Sequence, residues 1–429
     1  YVTTGILLRM LHSNTGLAGV AAVVVDEVHE RDVDTDFALL LLRDIIQTGK
    51  HPSLRVVVMS ATINIEALQR YFTRGSAAAA GSAEMRDAPD RSGLKGASKK
   101  HRDPSSITRT QEEAEAFAAV APVVSIKGTL FPVTEYFLED ACKWVGRPAP
   151  RPTGITSKAP KLAPAAAATS ADNDDDEDDG RPSRYEQMRA QALAACDRDE
   201  GMRVDHELVA ALIQYFHKKE GPQRRDGAIL AFLPGWNDID RVQKLLQACP
   251  FGRELSVLPL HGSLSTAEQN RVFLPPPRGF RKVVLATNVA ETSITIDDVT
   301  FVVDSCLHKG TNYDHIGNTS SLAAQLIAQA NGKQRRGRAG RVRAGDCVHL
   351  LCRTDYEALP AFNVPEMVRS PLEEVCLQLK AIAGEADCAE MMARTMDAPD
   401  PAAVKHSVTL LTDLGAFDSQ QRLTHLGRV

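Results

Sequence analysis

Apolar and polar residues alternate along the first part of the chain in blocks that predict short buried strands followed by helices. Residues 20–25 and 54–59 are almost continuously apolar and rich in Val. An unbroken β-branched run of this length is typical of a parallel strand that helices bury on both faces. The apolar periodicity of residues 37–46 and 64–72 predicts the helices that follow. The sequence therefore predicts an α/β unit with a parallel sheet.

The same alternation returns at residue 205 and predicts a second parallel sheet. Its predicted strands are residues 228–233, 255–260, 282–286, 301–303 and 347–351, and residues 123–126 and 131–138 also have strand-like patterning. Residues 309–321, rich in Gly, Asn and Thr, predict an exposed hairpin, and the Ala/Gln-rich residues 322–330 predict a helix. Beyond residue 356, Pro-punctuated helical stretches predict a small, mainly helical domain.

Two low-complexity segments interrupt this pattern. Residues 75–121 are rich in Ala, Gly and Ser, and residues 147–199 are Pro/Ala-rich and then acidic. Such compositions cannot bury a core, so both are predicted to be disordered insertions. The expected organisation is a domain at 1–128, a domain at 129–354, each with one insertion, and a helical domain at 355–429.

The charge of the chain is unevenly distributed. The net charge is -5, and every position of residues 172–179 except Asn173 is acidic. The rest of the chain is close to neutral, so a nucleic-acid surface must be a local patch. The acidic insertion is a candidate docking segment for protein partners, or simply a solvated linker.

Cysteine usage and hydropathy bear on the compartment. The eight cysteines form no C-x-x-C pair, which favours a reducing compartment and argues against a zinc module or disulfide framework. No apolar run approaches the roughly 20 residues of a membrane span, so we expect no membrane association. The chain does not begin with Met, and both ends have the character of domain interior. We therefore expect a fragment of a protein of the nucleus or the cytoplasm, with an organelle left open because the original N-terminus is absent.

One basic octamer, QRRGRAGR at residues 334–341, carries the strongest candidate chemistry. If a helix persists through it, Gln334, Arg338 and Arg341 share one face. Gly337 and Gly340 are poor helix formers that let another backbone or a ligand approach closely. Guanidiniums beside bare backbone suit a polyphosphate, and Gln can orient a water. A solvated basic face or a nucleic-acid patch is the alternative interpretation.

Acidic residues follow the first predicted strand in the DEVHER segment, residues 26–31. Carboxylates at the carboxyl end of a parallel strand lie where open α/β sheets bind ligands. Asp26 would hold Mg²⁺, a cation that prefers oxygen ligands, and Glu27 would polarise an attacking water. The alternative is that these acidic residues only cap a helix. Ser60 and Thr62 likewise either relay motion between loops or cap the next helix.

Together these segments resemble the DEAH-box RNA helicases of superfamily two. The resemblance rests on DEVHER (motif II), SAT at 60–62 (motif III), TNVAETSITID at 287–297 (motif V), QRRGRAGR (motif VI) and TTGILLR at 3–9 (motif Ib). FPVTEYFLED at 131–140, FLPGW at 232–236 and DEVHERDVDTDF at 26–37 are most similar to the RNA helicase A (maleless) branch, and PEMVRSPLEE at 365–374 and LTHLGR at 423–428 are similar to the family's winged-helix domain. The resemblance implies two RecA-like domains, the first incomplete, and a truncated winged-helix-like domain.

The resemblance also implies roles for individual residues. Asp26 and Glu27 would bind Mg²⁺, with Glu27 activating water, and His29 would couple this segment to Gln334, which positions the water. Arg338 and Arg341 would be arginine fingers on the terminal phosphates. The remaining implied roles are base stacking by Phe273, ribose and phosphate contacts by Thr295 and Asp297, RNA-backbone contacts by Thr3, Arg9, Thr287 and Asn288, coupling through Ser60 and Thr62, and strand separation by the 309–321 hairpin.

The implied function is an NTP-dependent RNA helicase that uses ATP or another NTP with Mg²⁺ and binds a single RNA strand mainly through its backbone. Two departures stand out. No G-x-x-x-x-G-K-[ST] loop occurs in these residues; in the family it lies upstream, so the fragment alone is expected to be weakly active or inactive. The family's Ser-Lys before motif VI is replaced by Ala328-Gln329. A non-hydrolysing RNA-binding scaffold and a helicase that acts on DNA stay open as alternatives.

Overall fold

The computed structural model describes residues 1–14, 16–61, 65–73, 121–126, 128, 131–148, 203–219, 227–291, 294–314, 319–384 and 386–428. The two predicted insertions, apart from residues 121, 147 and 148, lie outside the described residues. None of the described helices is long and apolar enough to cross a membrane. The seven cysteines in the described part of the chain are all free.

The first unit combines three helices with a small parallel sheet. Its elements are α1 (Thr4–Ser13), β1 (Ala22–Val25), α2 (Val33–Thr48), β2 (Arg55–Val58) and α3 (Ile65–Phe72). β1 and β2 are parallel, with Val23 opposite Val56. The prediction that these strands are buried on both faces is wrong for the described residues. Their side chains alternate, so that Val23 and Val25 enter the core whereas Val24 is 58% exposed.

The second unit is a six-stranded parallel sheet with helices on both faces. Its strands are β3 (Val133–Tyr136), β4 (Ala228–Phe232), β5 (Leu255–Leu260), β6 (Arg281–Ala286), β7 (Val299–Asp304) and β10 (Gly345–His349), in the order β3-β10-β7-β4-β6-β5. Its helices are α4 (Leu138–Trp144), α5 (His206–Lys219), α6 (Trp236–Ala248), α7 (Thr266–Gln269) and α8 (Gln329–Gly337). β4, β6 and β7 are buried at every position, as their apolar residues predict for central parallel strands. Arg281 and Lys282 of β6 and Asp304 of β7 are charged but buried with them. Residues 123–126, predicted as a strand, form neither a strand nor a helix.

An antiparallel hairpin leaves the second unit after β7. Its strands are β8 (Leu307–Asp314) and β9 (Thr319–Leu326), with Leu307 opposite Leu326. The predicted hairpin is confirmed, but the predicted helix at 322–330 is wrong. Residues 322–326 belong to β9, and the helix begins only at Gln329. Pairing with β8 supplies the backbone hydrogen bonds of β9, and this tertiary contact overrides the helical preference of Ala, Leu and Gln.

The third unit is mainly helical. Its first helix packs against the second unit through Tyr356, whereas the later helices pack on the first unit. Its helices are α9 (Arg353–Glu357), α10 (Glu366–Arg369), α11 (Glu373–Ala383), α12 (Cys388–Met392) and α13 (Pro401–Asp413). Leu8 and Leu11 of α1 share one hydrophobic cluster with Leu379 of α11 and Val404 of α13. The first and third units therefore have a common core, although the predicted domain boundaries at 128 and 354 stay predictions.

Candidate functional site

The DEVHER segment follows β1 as a tight turn. Asp26 is exposed, and its Oδ1 accepts a hydrogen bond from the backbone N–H of Glu27 at 2.8 Å. Glu27 and Arg31 have left-handed backbones, with φ of 55° and 54°, on either side of a 3-10 turn at Val28–Glu30. Such a conformation costs non-glycine residues about 1–3 kcal/mol, so the surrounding structure must enforce it. The hydrogen bond from Val28 N to Met59 O anchors the turn to the end of β2.

His29 connects this turn to the second unit. Its side chain is 7% exposed, and its Nδ1 lies 3.3 Å from Oε2 of Glu27. On the other edge of the ring, Nε2 contacts the side-chain amide of Gln334 in α8. His29 and Gln334 are thus in direct contact between the units, and their coupling stays a prediction.

Within the basic octamer, the α-helix gives way to a 3-10 turn. α8 ends at Gly337, and Arg338–Gly340 form a 3-10 turn, so the i, i+4, i+7 stripe of one continuous helix is replaced by a tighter arrangement. Arg338 is mostly buried and donates to Ile294 O at 2.9 Å and to Glu291 O. Arg341 is exposed and donates to Oγ1 of Thr295 at 2.8 Å.

The pKa of Arg338 is influenced by Glu27 of the acidic turn. Burial and the charge of Arg341 lower the pKa of Arg338 to about 10, while Glu291 and Glu27 oppose that change. Glu27 of the first unit and Arg338 of the second are therefore close enough to interact. We call the space between the acidic turn and the guanidiniums of Arg338 and Arg341 the candidate nucleotide cleft. These two neighbouring positive charges would be stabilised by a bound anion.

A buried ion network supports this cleft, and the sequence analysis did not identify it. Arg335, 1% exposed, donates to Glu291 Oε2 at 2.8 Å and to Asp304 Oδ1 at 2.7 Å. Nδ1 of His349 lies 3.0 Å from Asp304 Oδ2. Burial opposes both charges, but Arg335 and His349 lower the pKa of Asp304 far below its usual value. Cys347, followed by Asp304 and Cys306, raises the pKa of His349 well above its usual value. The acidic end of the apolar strand β7 was the signal that could have revealed the network.

The same network contains a group with metal-ligand chemistry. Asp304, Cys306 and His349 are all buried and bring one ligand atom each within 4.8 Å of one another. The guanidinium of Arg335 lies on the other oxygen of Asp304 and supplies the positive charge that a metal ion would bring. Burial raises the pKa of the Cys306 thiol to about 12, which disfavours the thiolate that a metal ion needs. We interpret the group as an ion-pair network.

The acidic turn has the donors that a magnesium ion requires. Asp26 presents an exposed carboxylate at the end of β1, and Glu27 adds a second one. Mg²⁺ prefers carboxylate and water oxygens in a partly hydrated site. The residues therefore fit the predicted ion, although binding itself stays a prediction.

Most of the other predicted ligand residues lie at the ends of elements or between them, whereas Arg9 lies in the middle of α1. Thr295 accepts a hydrogen bond from Arg341. Among the described residues of this group, it is the only one with a recorded bond to an arginine of the octamer. Six others of this group are exposed: Thr3, Arg9, Ser60, Phe273, Asn288 and Asp297. Thr287 is buried. Thr62 lies outside the described residues. Ligand roles at these positions stay predictions.

The departure at Ala328-Gln329 has a structural counterpart. The side-chain amide of Gln329 donates to Glu357 O and Leu359 O, both at 2.9 Å. The Gln329 side chain therefore bonds to the backbone at the end of α9 and just after it.

The chain is similar in sequence to known helicases. Residues 207–343 match the family described as "Helicase conserved C-terminal domain". The bovine "ATP-dependent DNA/RNA helicase DHX36" is 34% identical over 436 residues, covering 100% of this chain and 38% of that protein. The Arabidopsis thaliana "DExH-box ATP-dependent RNA helicase DExH1" is 33% identical, with the same shares covered. The human "ATP-dependent RNA helicase DHX30" is 34% identical, covering 100% of this chain and 28% of that protein.

Solved structures show a similar fold. The Escherichia coli DExH-box NTPase HrpB matches with a TM-score of 0.64 and 27% identity, covering 99% of this chain and 38% of that one. A second structure of the Escherichia coli DEAH/RHA helicase HrpB matches with a TM-score of 0.65 and 27% identity, covering 99% of this chain and 39% of that one. The chain thus spans 38% of the length of the first two curated relatives.

Proposed function

This chain belongs to the DEAH-box helicases of superfamily two, and on that premise we propose that the protein hydrolyses NTP in response to RNA and uses the cycle to unwind or remodel RNA. The observation that carries the proposal is the contact between His29 and Gln334, with Glu27 in electrostatic reach of Arg338. It brings carboxylates of the first unit and guanidiniums of the second to one cleft. This combination of charges suits a nucleoside triphosphate between the units.

In the proposed reaction, each side chain has a limited task. Glu27 accepts a proton from the attacking water, and Gln334, held by His29, orients that water. Arg338 and Arg341 stabilise the charge that develops on the terminal phosphate. Asp26 holds Mg²⁺, which neutralises phosphate charge when it is bound. Hydrolysis and product release would change the separation of the two units, because Gln334 of the second unit contacts His29 in the acidic turn of the first.

A cleft of mixed charge lies beside the hairpin. Its volume is about 690 Å³, and its lining combines the basic Arg203, Arg241, Lys244 and Lys309 with the acidic Asp205, Glu207 and Asp238. Lysine and arginine side chains along a groove bind the phosphate backbone independently of sequence. We propose that a single RNA strand lies here and along Thr3, Arg9, Thr287 and Asn288.

The test is the variant Glu27→Gln in the full-length protein. Removing the proton acceptor should lower RNA-stimulated NTP hydrolysis by about 10²–10⁴-fold, with little change in RNA affinity. Glu30→Gln is the matched control, because Glu30 is exposed on the same 3-10 turn and has no role in the proposed reaction. Equal activity of Glu27→Gln and wild type would sink the proposal and favour a non-hydrolysing RNA-binding scaffold.

A second candidate, unwinding of DNA, is favoured by one observation. The name of the DHX36 relatives includes both DNA and RNA. The proposed contacts are to backbone phosphates, which do not distinguish the two polymers. Rates measured on RNA and DNA duplexes of one sequence decide between the candidates.

We also propose that residues 1–429 by themselves hydrolyse nucleotide weakly or not at all. No G-x-x-x-x-G-K-[ST] sequence occurs among them, and such a loop supplies the backbone N–H groups and the lysine that bind phosphates. An NTPase assay of this stretch beside the full-length protein tests the point.

A further inference from the structure

The segment PEMVRSPLEE contains α10, one helical turn that the proposed reaction does not use. Its two ends contact elements of different units. Glu366, at its start, bonds to the DEVHER segment and the nearby start of α2, and Arg369, at its end, bonds to β8 of the hairpin. α10 is therefore positioned between the candidate nucleotide cleft and the hairpin.

On the cleft side, α10 is joined to the turn that carries Glu27 and His29. Glu366 N donates to Arg31 O at 3.0 Å, and Val33 N donates to Glu366 Oε2 at 3.3 Å. Arg31 closes the turn in a left-handed conformation, and its guanidinium bonds to both carboxylate oxygens of Asp36 and to Asp397. A shift of the turn that carries Glu27 would thus be transmitted to α10 through backbone and side-chain bonds.

On the hairpin side, two arginines hold one strand. Arg369 Nη1 donates to Thr311 O at 3.0 Å, and Arg335 Nη1 of α8 donates to Leu307 O at 3.2 Å. His308 lies on β8 in the field of both guanidiniums; burial and these two charges lower its pKa to about 3. β8 is consequently attached to the helix that carries Gln334 and to α10.

We propose that α10 is a mechanical link through which the position of the DEVHER segment is coupled to the position of the hairpin. The link rests on the proposed function, in which the cleft binds NTP, and on the role in strand separation that the family resemblance implies for the hairpin. Glu366 and Arg369 are positioning residues, since neither touches the reacting atoms. On the cleft side, one bond joins the backbone of Glu366 to that of Arg31. On the hairpin side, the Arg369 side chain forms the connection to the backbone of Thr311, so the link depends on this side chain.

The first test uses Arg369→Met in the full-length protein. Methionine keeps much of the apolar stem but cannot donate to Thr311 O. RNA-stimulated NTP hydrolysis should stay within about twofold, while the amount of duplex unwound per NTP hydrolysed should fall by about fivefold or more. Arg369→Lys, which retains a charged donor, should recover part of the loss. Arg422→Met is the matched control, because Arg422 belongs to the third unit but pairs with Asp418 on the surface.

The second test is a double-mutant cycle with Glu366→Ala. If both residues act through α10, the double variant should lose no more unwinding per NTP than the worse single variant. Effects that multiply would show that the residues act independently and would overturn the link. A parallel loss of hydrolysis and unwinding, or an unchanged ratio, would overturn it as well.

A third measurement does not depend on activity. Glu366→Ala makes no direct change in the hairpin, yet it should raise amide hydrogen exchange at residues 308–311 by about threefold or more, whereas Arg422→Met should not. Glu366→Ala removes the bond from Val33 N but keeps the backbone bond to Arg31 O, so unchanged exchange at these residues would overturn the positioning role of the Glu366 side chain. Wild-type protein without RNA-stimulated hydrolysis would contradict the proposed function, and the exchange result would still decide the link.

Discussion

At the scale of single residues, identical side chains within one octamer have different environments. Arg335 is enclosed and neutralised by Glu291 and Asp304, so its charge holds the second unit together. Arg338 and Arg341 have carbonyl and hydroxyl acceptors but no carboxylate within the hydrogen bonds that the structure records for them. The difference arises from the neighbours that tertiary contacts bring, and it leaves these two charges for a bound phosphate.

The arginine finger is tested by Arg341→Ala. We expect kcat for RNA-stimulated hydrolysis to fall by about 10³-fold with a small change in KM, because the charge acts on the transition state. Arg343→Ala, an exposed arginine two residues further on, should leave kcat within about twofold of wild type. Similar losses in both variants would point to general surface charge instead.

At the scale of elements, the turn after α8 depends on a close approach to β3. Phe131 N donates to Gly340 O at 2.8 Å. A Cβ on Gly340 would lie 2.6 Å from Phe131 O and 2.7 Å from Cγ2 of Val133. The interpretation that glycine here admits another backbone is confirmed, and the approaching backbone is that of the chain itself.

This packing predicts the effect of Gly340→Ala. The carbonyl of Phe131 must move to admit a methyl group, which should lower the free energy of unfolding by about 1–3 kcal/mol. Urea denaturation measures the change. Gly262→Ala is the control, because no described atom lies within 4 Å of the place that its methyl group would take, and equal effects at both glycines would contradict the steric argument.

At the scale of the whole molecule, the third unit completes the core of the first. Leu379 of α11 is fully buried in the cluster that contains Leu8 and Leu11 of α1. Leu246 of α6 is also fully buried, but in a separate cluster of the second unit. The first and third units should therefore lose structure together, with the second unit as a more independent body.

Matched core substitutions test this division. Leu379→Ala and Leu246→Ala each remove similar buried volume and should each cost about 2–5 kcal/mol. Leu379→Ala should raise amide hydrogen exchange in α1 and α2, whereas Leu246→Ala should raise it in α5 and β4. Increased exchange in α1 after Leu246→Ala, with none after Leu379→Ala, would show that the cores are not divided in this way.

The sequence by itself determined the elements whose formation depends on local pattern. The buried strands β4, β6 and β7 follow from the apolar residues at their centres, and the chemistry of the DEVHER segment and the basic octamer follows from their residue types. These features need only neighbours along the chain, so periodicity and composition suffice to predict them.

Tertiary structure alone decided the features that join distant residues. Residues 322–326 become a strand because β8 is present to pair with them, and one side of β1 is exposed because nothing described covers it. Arg335 is buried because Glu291, Asp304 and the His349 beside Asp304 lie around it. Charge compensation and strand pairing depend on which groups meet in space, and no local pattern encodes that meeting.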